Sequence, residues 1–309
     1  MNALYEHTKQ YLNQLNEIPS LASLTYKEAR EIRAKLPKKE AKLADLAKIE
    51  DRSISMRDGA EIGIRIYTPH GNGPFNIIMY YHGGGWVLND LSTCHESCSR
   101  LAFTTGQIVV SVEYRLAPEH PFPIPVYDSF DSYLWVVQHA ESFNGNARKI
   151  SVAGDSAGGN LAIAVCQLVS QSSELQPIHA QILLYPVTDL SFHSNSYKLF
   201  EKGFGLDKDV MQWFSRYYIS SSHDAQNPLA APLLLKDFSN FPETLIFAAE
   251  YDVLRDEALL FGEKLSVMGT PTKSIIMEGI VHSYFTQNHV FHEEIACTIQ
   301  HIEAFLNDL

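Results

Sequence analysis

From residue 75 onward the chain alternates between short, almost unbroken apolar runs and longer stretches with helical spacing. The apolar runs lie at 77–81, 108–112, 150–153, 182–185, 245–248 and 273–277. Runs this short, with little polar alternation, suit parallel strands buried on both faces. The helical stretches lie at about 93–105, 125–140, 157–171, 253–268 and 289–307. Strand and helix therefore take turns, which predicts an α/β fold whose parallel sheet is flanked by helices on both sides. Two earlier segments, 51–56 and 61–67, alternate in polarity around Arg57-Asp58-Gly59-Ala60. Asp-Gly is a strong hairpin-turn signal, so an antiparallel pair opens what becomes a mostly parallel, eight-stranded sheet.

Two segments stand outside that alternation. Residues 1–49 carry a helical pattern, with Leu12 and Leu15 early, then Ala29, Ile32 and Arg33 before Leu36-Pro37. Residues 190–240 are rich in Ser, Phe, Tyr and Leu, carry Gly203, Gly205 and Asn227-Pro228, and show no strand pattern. The second reads as an insertion above the sheet. A chain of 309 residues is long enough to bury roughly three quarters of its unfolded surface, and one α/β domain with insertions fits it.

Charge and cysteine usage narrow the classes. With 24 basic and 36 acidic side chains the formal charge is −12, which argues against nucleic acid as a partner, since phosphate-backbone binding rests on clustered cations. The first twenty residues are polar with no apolar core like a secretion signal, and no run approaches a membrane span, so a cytoplasmic protein is expected. Cys94, Cys98, Cys166 and Cys297 are too few for a disulfide framework, and reduced thiols are expected. Cys94 and Cys98 form a CxxxC with no second ligand pair nearby, which counts against zinc. No GxGxxG follows a strand and no GxxxxGK[ST] occurs, so no metal or cofactor is called for.

Candidate chemistry sits at strand ends. Gly154-Asp155-Ser156-Ala157-Gly158 falls between the run at 150–153 and a helical stretch, the setting in which a serine stands on a tight strand-to-helix turn. A side chain at either glycine of that turn would collide with neighbouring backbone. His82-Gly83-Gly84-Gly85 follows the run at 77–81, and a glycine-rich loop there turns backbone amides toward an oxygen that becomes negative during acyl transfer. A serine needs a base, and the base a carboxylate. Asp252 lies just past the run at 245–248, with Glu250 and Asp256 as rivals and helix capping as an alternative role. His282 lies past the last strand, whereas His289, His292 and His301 fall within the apparent last helix. Ser156, Asp252 and His282 follow the order expected of an α/β-hydrolase, whose reacting groups gather at the carboxyl ends of parallel strands. Asp155 reads as structural.

The segments His82-Gly83-Gly84-Gly85-Trp86, Tyr114-Arg115-Leu116-Ala117-Pro118-Glu119, Gly154 to Asn160, Tyr185-Pro186 and Tyr251 to Glu257, together with His282, resemble the hormone-sensitive lipase-like family of α/β-hydrolases, in particular its bacterial carboxylesterases and acetyl esterases. The resemblance implies Ser156 as nucleophile, Asp252 and His282 as its partners, and an oxyanion hole built from the Ala157 amide and amides of the glycine loop, Gly84 first with Gly83 or Gly85 beside it. It also implies that residues 1–49 and about 190–225 form a cap over a site for small ester substrates. Trp86, Phe204, Trp213 and Phe214 would either shorten the acyl pocket or pack the cap. The family includes hormone receptors that lost the histidine, and the retained His282 counts against a receptor role. A protein-interaction role for the acidic surface, and amide or lactone hydrolysis, stay open, as does monomer against homodimer.

Overall fold

In the computed structural model, which describes residues 3–35 and 40–309, eight strands form one sheet in the order β1-β2-β4-β3-β5-β6-β7-β8. β1 (Lys48–Ser55) and β2 (Glu61–Thr68) form the antiparallel hairpin, and β2 runs antiparallel to β4 (Ile108–Val112). β3 (Phe75–Tyr81), β4, β5 (Gly145–Asp155), β6 (Gln181–Leu184), β7 (Thr244–Tyr251) and β8 (Thr272–Val281) pair in parallel. The apolar runs sit where both faces are covered. Ile77, Met79 and Tyr81 of β3 point into one core, and Ile78 and Tyr80 into the other, as the two-residue period of a strand dictates.

The helices divide between those faces. α3 (His95–Thr105) and α9 (His292–Asn307) cover the second core, while α4 (Ile124–His139), α5 (Ala157–Ser170) and α8 (Arg255–Val267) cover the first. The turn pattern departs from the sequence expectation at three places. β5 begins at Gly145 because the polar stretch Asn146 to Lys149 forms the strand's amino end, where a register shift separates Phe75↔Gly145 from Ile77↔Ile150. β8 runs on to Val281 rather than stopping at 277. His289 lies in the turn before α9, not within the helix.

The N-terminal segment contributes α1 (Glu6–Leu15) and α2 (Tyr26–Lys35); the expected break at Leu36-Pro37 lies outside the described residues. The 190–240 segment holds α6 (Asn195–Leu199) and α7 (Lys208–Tyr218) and no strand. These two segments meet each other. The indole Nε1 of Trp213 donates to the Leu24 carbonyl (2.7 Å), Ala29 is fully buried, and the Tyr26 and Tyr217 rings meet edge to face.

Two features of the sheet place the site. The chain lays down β3, moves outward to β4, and returns across β3 to β5, so the loops leaving β3 and β5 diverge from neighbouring strands at a topological switch point. Tyr81 pairs with Gly154 there, which sets residues 82–85 beside the 154–158 turn. On the other side, β7 and β8 pair as Ala249↔Met277 and then Tyr251↔Val281. The longer count on β8 is a bulge around Gly279, which adopts φ +66°. It brings Asp252 and His282, each one residue past the paired Tyr251 and Val281, to the same end of the sheet.

Candidate active site

Ser156 joins β5 directly to α5 with φ 55° and ψ −118°, a conformation that non-glycine residues rarely adopt and that lifts the side chain clear of the strand. The turn is held by the Ser156 amide donating to the Leu184 carbonyl (2.9 Å) and by the Val187 amide donating to the Ser156 carbonyl (3.2 Å). Close packing explains the flanking glycines. A Cβ at Gly154 would overlap the Gly158 carbonyl, and one at Gly158 would overlap the Tyr81 carbonyl.

The three residues singled out by sequence order come together. His282 Nε2 lies 2.9 Å from Ser156 Oγ, and His282 Nδ1 lies 2.6 Å from Asp252 Oδ2. A carboxylate only accepts, so Nδ1 carries the proton and Nε2 presents its lone pair to the serine hydroxyl. Asp252 Oδ1 accepts from the Leu254 amide (3.0 Å) in a turn just ahead of α8, so Asp252 is not the helix cap, a position that Leu254 occupies, and its two oxygens serve the turn and the histidine separately. The rival carboxylates point elsewhere. Glu250 Oε2 accepts from the Gly279 amide within the β8 bulge, and Asp256 Oδ2 accepts from the Ser196 amide. Tyr185, itself at φ 39°, sets its ring edge to face against His282 at 4.7 Å between centroids.

The glycine loop is built from consecutive left-handed residues, Gly84 (φ 116°), Gly85 (φ 59°) and Trp86 (φ 61°). Its amides are not equivalent. The Gly83 amide donates to Asp155 Oδ1 (2.9 Å), which also accepts from the Tyr80 hydroxyl (2.8 Å), so Gly83 is engaged with the sheet rather than offered to a ligand. The expected donor set thereby narrows to Gly84, Gly85 and Ala157, whose amides have no partner among the described residues. Burial raises the Asp155 pKa, opposed by the hydrogen bonds from Tyr80 and Gly83. Its structural reading gains a specific content: Asp155 ties the serine turn to the glycine loop.

His82 is buried beneath the same loop. Its Nδ1 donates to the Gly83 carbonyl (2.7 Å), its ring stacks on Tyr114 at 4.3 Å, and the Tyr114 hydroxyl donates to the His82 carbonyl (2.6 Å). Burial pushes its pKa down to about 4, so the imidazole is neutral and its tautomer is fixed by the carbonyl it serves.

Of the four bulky residues weighed for the pocket, Phe214 lies nearest the loop, since a Cβ at Gly85 would overlap its ring. Trp86 is stacked on Tyr218 (4.1 Å, 4° between planes), and Phe204 is stacked on Tyr251 (5.6 Å, 18°). Trp213 is held by Leu24. Sequence reasoning had no signal for three further contributors. Asn89 Nδ2 donates to the Gly83 carbonyl (3.1 Å), Arg33 Nη1 donates to Asn89 Oδ1 (2.6 Å), and Glu257 Oε1 accepts from the Thr188 and Asp189 amides. The first two are solitary polar residues outside any motif; Glu257 lay inside a quoted motif but without a role.

The four cysteines are free thiols, and Cys94 Sγ sits 3.3 Å from Ser111 Oγ. Among the described residues no group of three or more His, Cys, Asp or Glu is arranged to hold a metal ion, and no helix is long and apolar enough to cross a membrane.

A family model for the α/β-hydrolase fold matches residues 78–286. The carboxylic ester hydrolase LipN of Mycobacterium tuberculosis is 38% identical over 243 residues, 76% of this chain and 64% of LipN, so this chain spans less than two thirds of that relative's length. The ethyl acetate hydrolase of Pseudomonas putida is 31% identical over 264 residues, 84% of this chain and 83% of that protein. Among solved structures, an ester hydrolase from the metagenome of Lake Arreo, in complex with a derivative of bipyridine phosphonate, superposes with a TM-score of 0.91 at 31% identity and covers 98% of both chains. With the serine turn, the glycine loop and this similarity together, the chain belongs to the α/β-hydrolase fold family, in its hormone-sensitive lipase-like esterase group.

Proposed function

We propose that the chain is a serine carboxylesterase that hydrolyses small, short-acyl carboxylic esters through an acyl-enzyme. The observation that carries this reading is the continuous contact from Asp252 through His282 to Ser156, at 2.6 and 2.9 Å, beside a loop with unengaged amides. Ser156 Oγ forms a bond to the acyl carbon while His282 Nε2 takes its proton. The carbonyl oxygen becomes negative and is held by the amides of Gly84, Gly85 and Ala157, each such donor contributing roughly 3 kcal/mol. Collapse breaks the ester bond, and the alcohol leaves with the proton from His282. Water then attacks the acyl carbon while His282 takes its proton, and collapse breaks the bond from the acyl carbon to Ser156 Oγ, which recovers the proton from His282 as the carboxylic acid departs.

The N-terminal helices and the 190–225 insertion form the cap in this proposal. Phe214 roofs the space above Gly85, which supports a short acyl group, as does a relative named for ethyl acetate hydrolysis. A rate series on aryl esters from acetyl to long acyl chains, run beside Ser156→Ala, tests both parts. Loss of turnover in Ser156→Ala with a maximum at short chains is expected. Full activity in that variant sinks the mechanism, and a maximum at long chains sinks the acyl preference.

A further inference from the structure

A trans peptide is planar, so its carbonyl oxygen and the N–H of the next residue point in opposite directions. Fixing one fixes the other. The Gly83 carbonyl therefore aims the Gly84 amide, and the Gly84 carbonyl aims the Gly85 amide. Both carbonyls are pinned from behind. The Gly84 carbonyl accepts from the Val87 and Leu88 amides (3.1 and 2.9 Å), within the loop itself. The Gly83 carbonyl accepts from His82 Nδ1 (2.7 Å) and from Asn89 Nδ2 (3.1 Å).

Asn89 is a reversible choice of donor, since an amide side chain flipped about its last torsion would turn its oxygen toward the carbonyl and repel it. What prevents the flip comes from a distant part of the chain. Arg33, on α2, places Nη1 2.6 Å from Asn89 Oδ1, and a guanidinium has only donors. Asn89 Oδ1 must face the arginine, and Nδ2 must then face Gly83. Arg33 makes no ion pair with a carboxylate among the described residues, unlike its helix neighbour Arg30, which is bidentate on Glu119 (2.8 and 3.0 Å). Arg30 also donates to the Val87 and Ala117 carbonyls (3.0 and 2.8 Å), so α2 is docked on the loop independently of Arg33. Asn89 itself sits at φ 76°, a left-handed position that Asn and Asp tolerate better than other side chains.

We propose that Arg33 and Asn89 form a positioning relay through which helix α2 aims the Gly84 amide at the developing oxyanion. The relay rests on the esterase reading above, and it makes the N-terminal segment part of the reaction's electrostatics as well as a cover for the substrate.

Asn89→Asp separates docking from aiming. The carboxylate keeps the left-handed backbone and gives Arg33 a stronger partner, but it has no hydrogen to offer the Gly83 carbonyl. On an aryl acetate, kcat is expected to fall about tenfold with KM changed less than about twofold, a partial loss of one oxyanion donor. The melting temperature should not drop. Affinity for a trifluoromethyl ketone, which forms a tetrahedral adduct with Ser156, should fall in parallel with kcat. Arg33→Met should lose less in the same direction, and the double variant should match Asn89→Asp alone, because two residues acting through one bond are not additive. Parental kcat and parental ketone affinity in Asn89→Asp would overturn the relay. So would an Arg33→Met defect confined to KM for an anionic ester such as a succinate half-ester, which would make Arg33 a substrate contact. Ser156→Ala in the same series distinguishes the failures: its continued activity defeats the esterase reading, whereas its inactivity beside a fully active Asn89→Asp defeats the relay alone.

Discussion

Replacing Asp252 by Asn changes one atom and should remove nearly all turnover, for a reason specific to this fold. The two oxygens of Asp252 serve different donors: Oδ2 faces His282 Nδ1 at 2.6 Å, and Oδ1 accepts from the Leu254 amide at 3.0 Å. An Asn has one oxygen and one NH₂. The Leu254 N–H is a fixed backbone donor and takes the oxygen, since the opposite orientation would set N–H against N–H. The NH₂ is then left facing Nδ1, which must accept. His282 consequently carries its proton on Nε2 and donates toward Ser156 Oγ, 2.9 Å away, instead of receiving from it. Forcing the wrong tautomer in serine hydrolases costs on the order of 10⁴ in kcat, about 5.5 kcal/mol of transition-state stabilisation. Aryl acetate turnover measures the loss, and the rate of Ser156 labelling by an organophosphonate should fall with it, because both begin with the same attack. The folded state keeps its packing, so the unfolding midpoint should change little. Turnover within about tenfold of the parent, with the variant folded, would refute the reasoning about the Leu254 amide.

Three further outcomes are expected. His82 has its pKa pushed down to about 4 by burial, so the unfolded chain protonates first as pH falls below the ordinary 6.5. The stability this neutral imidazole confers is complete above pH 6.5 and is lost as pH falls toward 4, by about 3 kcal/mol; His82→Asn, which keeps a donor for Gly83, should show a shallower loss in urea melts across that window, and identical slopes would refute it. Gly158→Ala drives a methyl group into the Tyr81 carbonyl, and a cost of about 3 kcal/mol or more is expected from urea unfolding; a parental midpoint would contradict the overlap. Phe214→Ala opens space beside Gly85 and should raise the ratio of octanoyl to acetyl kcat/KM about tenfold, while an unchanged ratio would place the acyl limit elsewhere.

The strands were legible because a run buried on both faces is apolar at nearly every residue, as in Ile108 to Val112, where Ser111 is the one polar side chain. The amino end of β5 was not, since Asn146 to Lys149 read as loop composition and only the β3 partner makes them strand. Ser156 and the glycine loop announced themselves because backbone crowding permits almost nothing else at Gly154 and Gly158. Asp252 was legible from its place just past a strand, with Glu250 and Asp256 as rivals, but the register that brings Asp252 and His282 to one end of the sheet, each following the paired Tyr251 and Val281, is not written in a string of letters. Gly83 was grouped with its neighbours because glycines look alike, and the Asp155 bond that sets it apart spans 72 positions. Arg33 and Asn89 lie 56 positions apart, in a helix and a loop with no shared pattern, so their contact had no periodicity to betray it.

The β8 bulge has a consequence for chimeras. The Gly279 carbonyl at its centre accepts from the Thr8 hydroxyl (3.0 Å) and the Tyr5 amide (3.4 Å), while its amide is held by Glu250. Helix α1 is thus moored to the same kink that sets where His282 emerges. Exchanging N-terminal segments between relatives to alter substrate range would therefore transplant part of the mooring of His282 along with α1 and α2. A donor segment that lacks a hydroxyl in the place of Thr8 would carry a rate penalty unrelated to its substrate fit, whereas an exchange that begins after α1, so that α1 and β8 come from one parent, would keep that mooring intact.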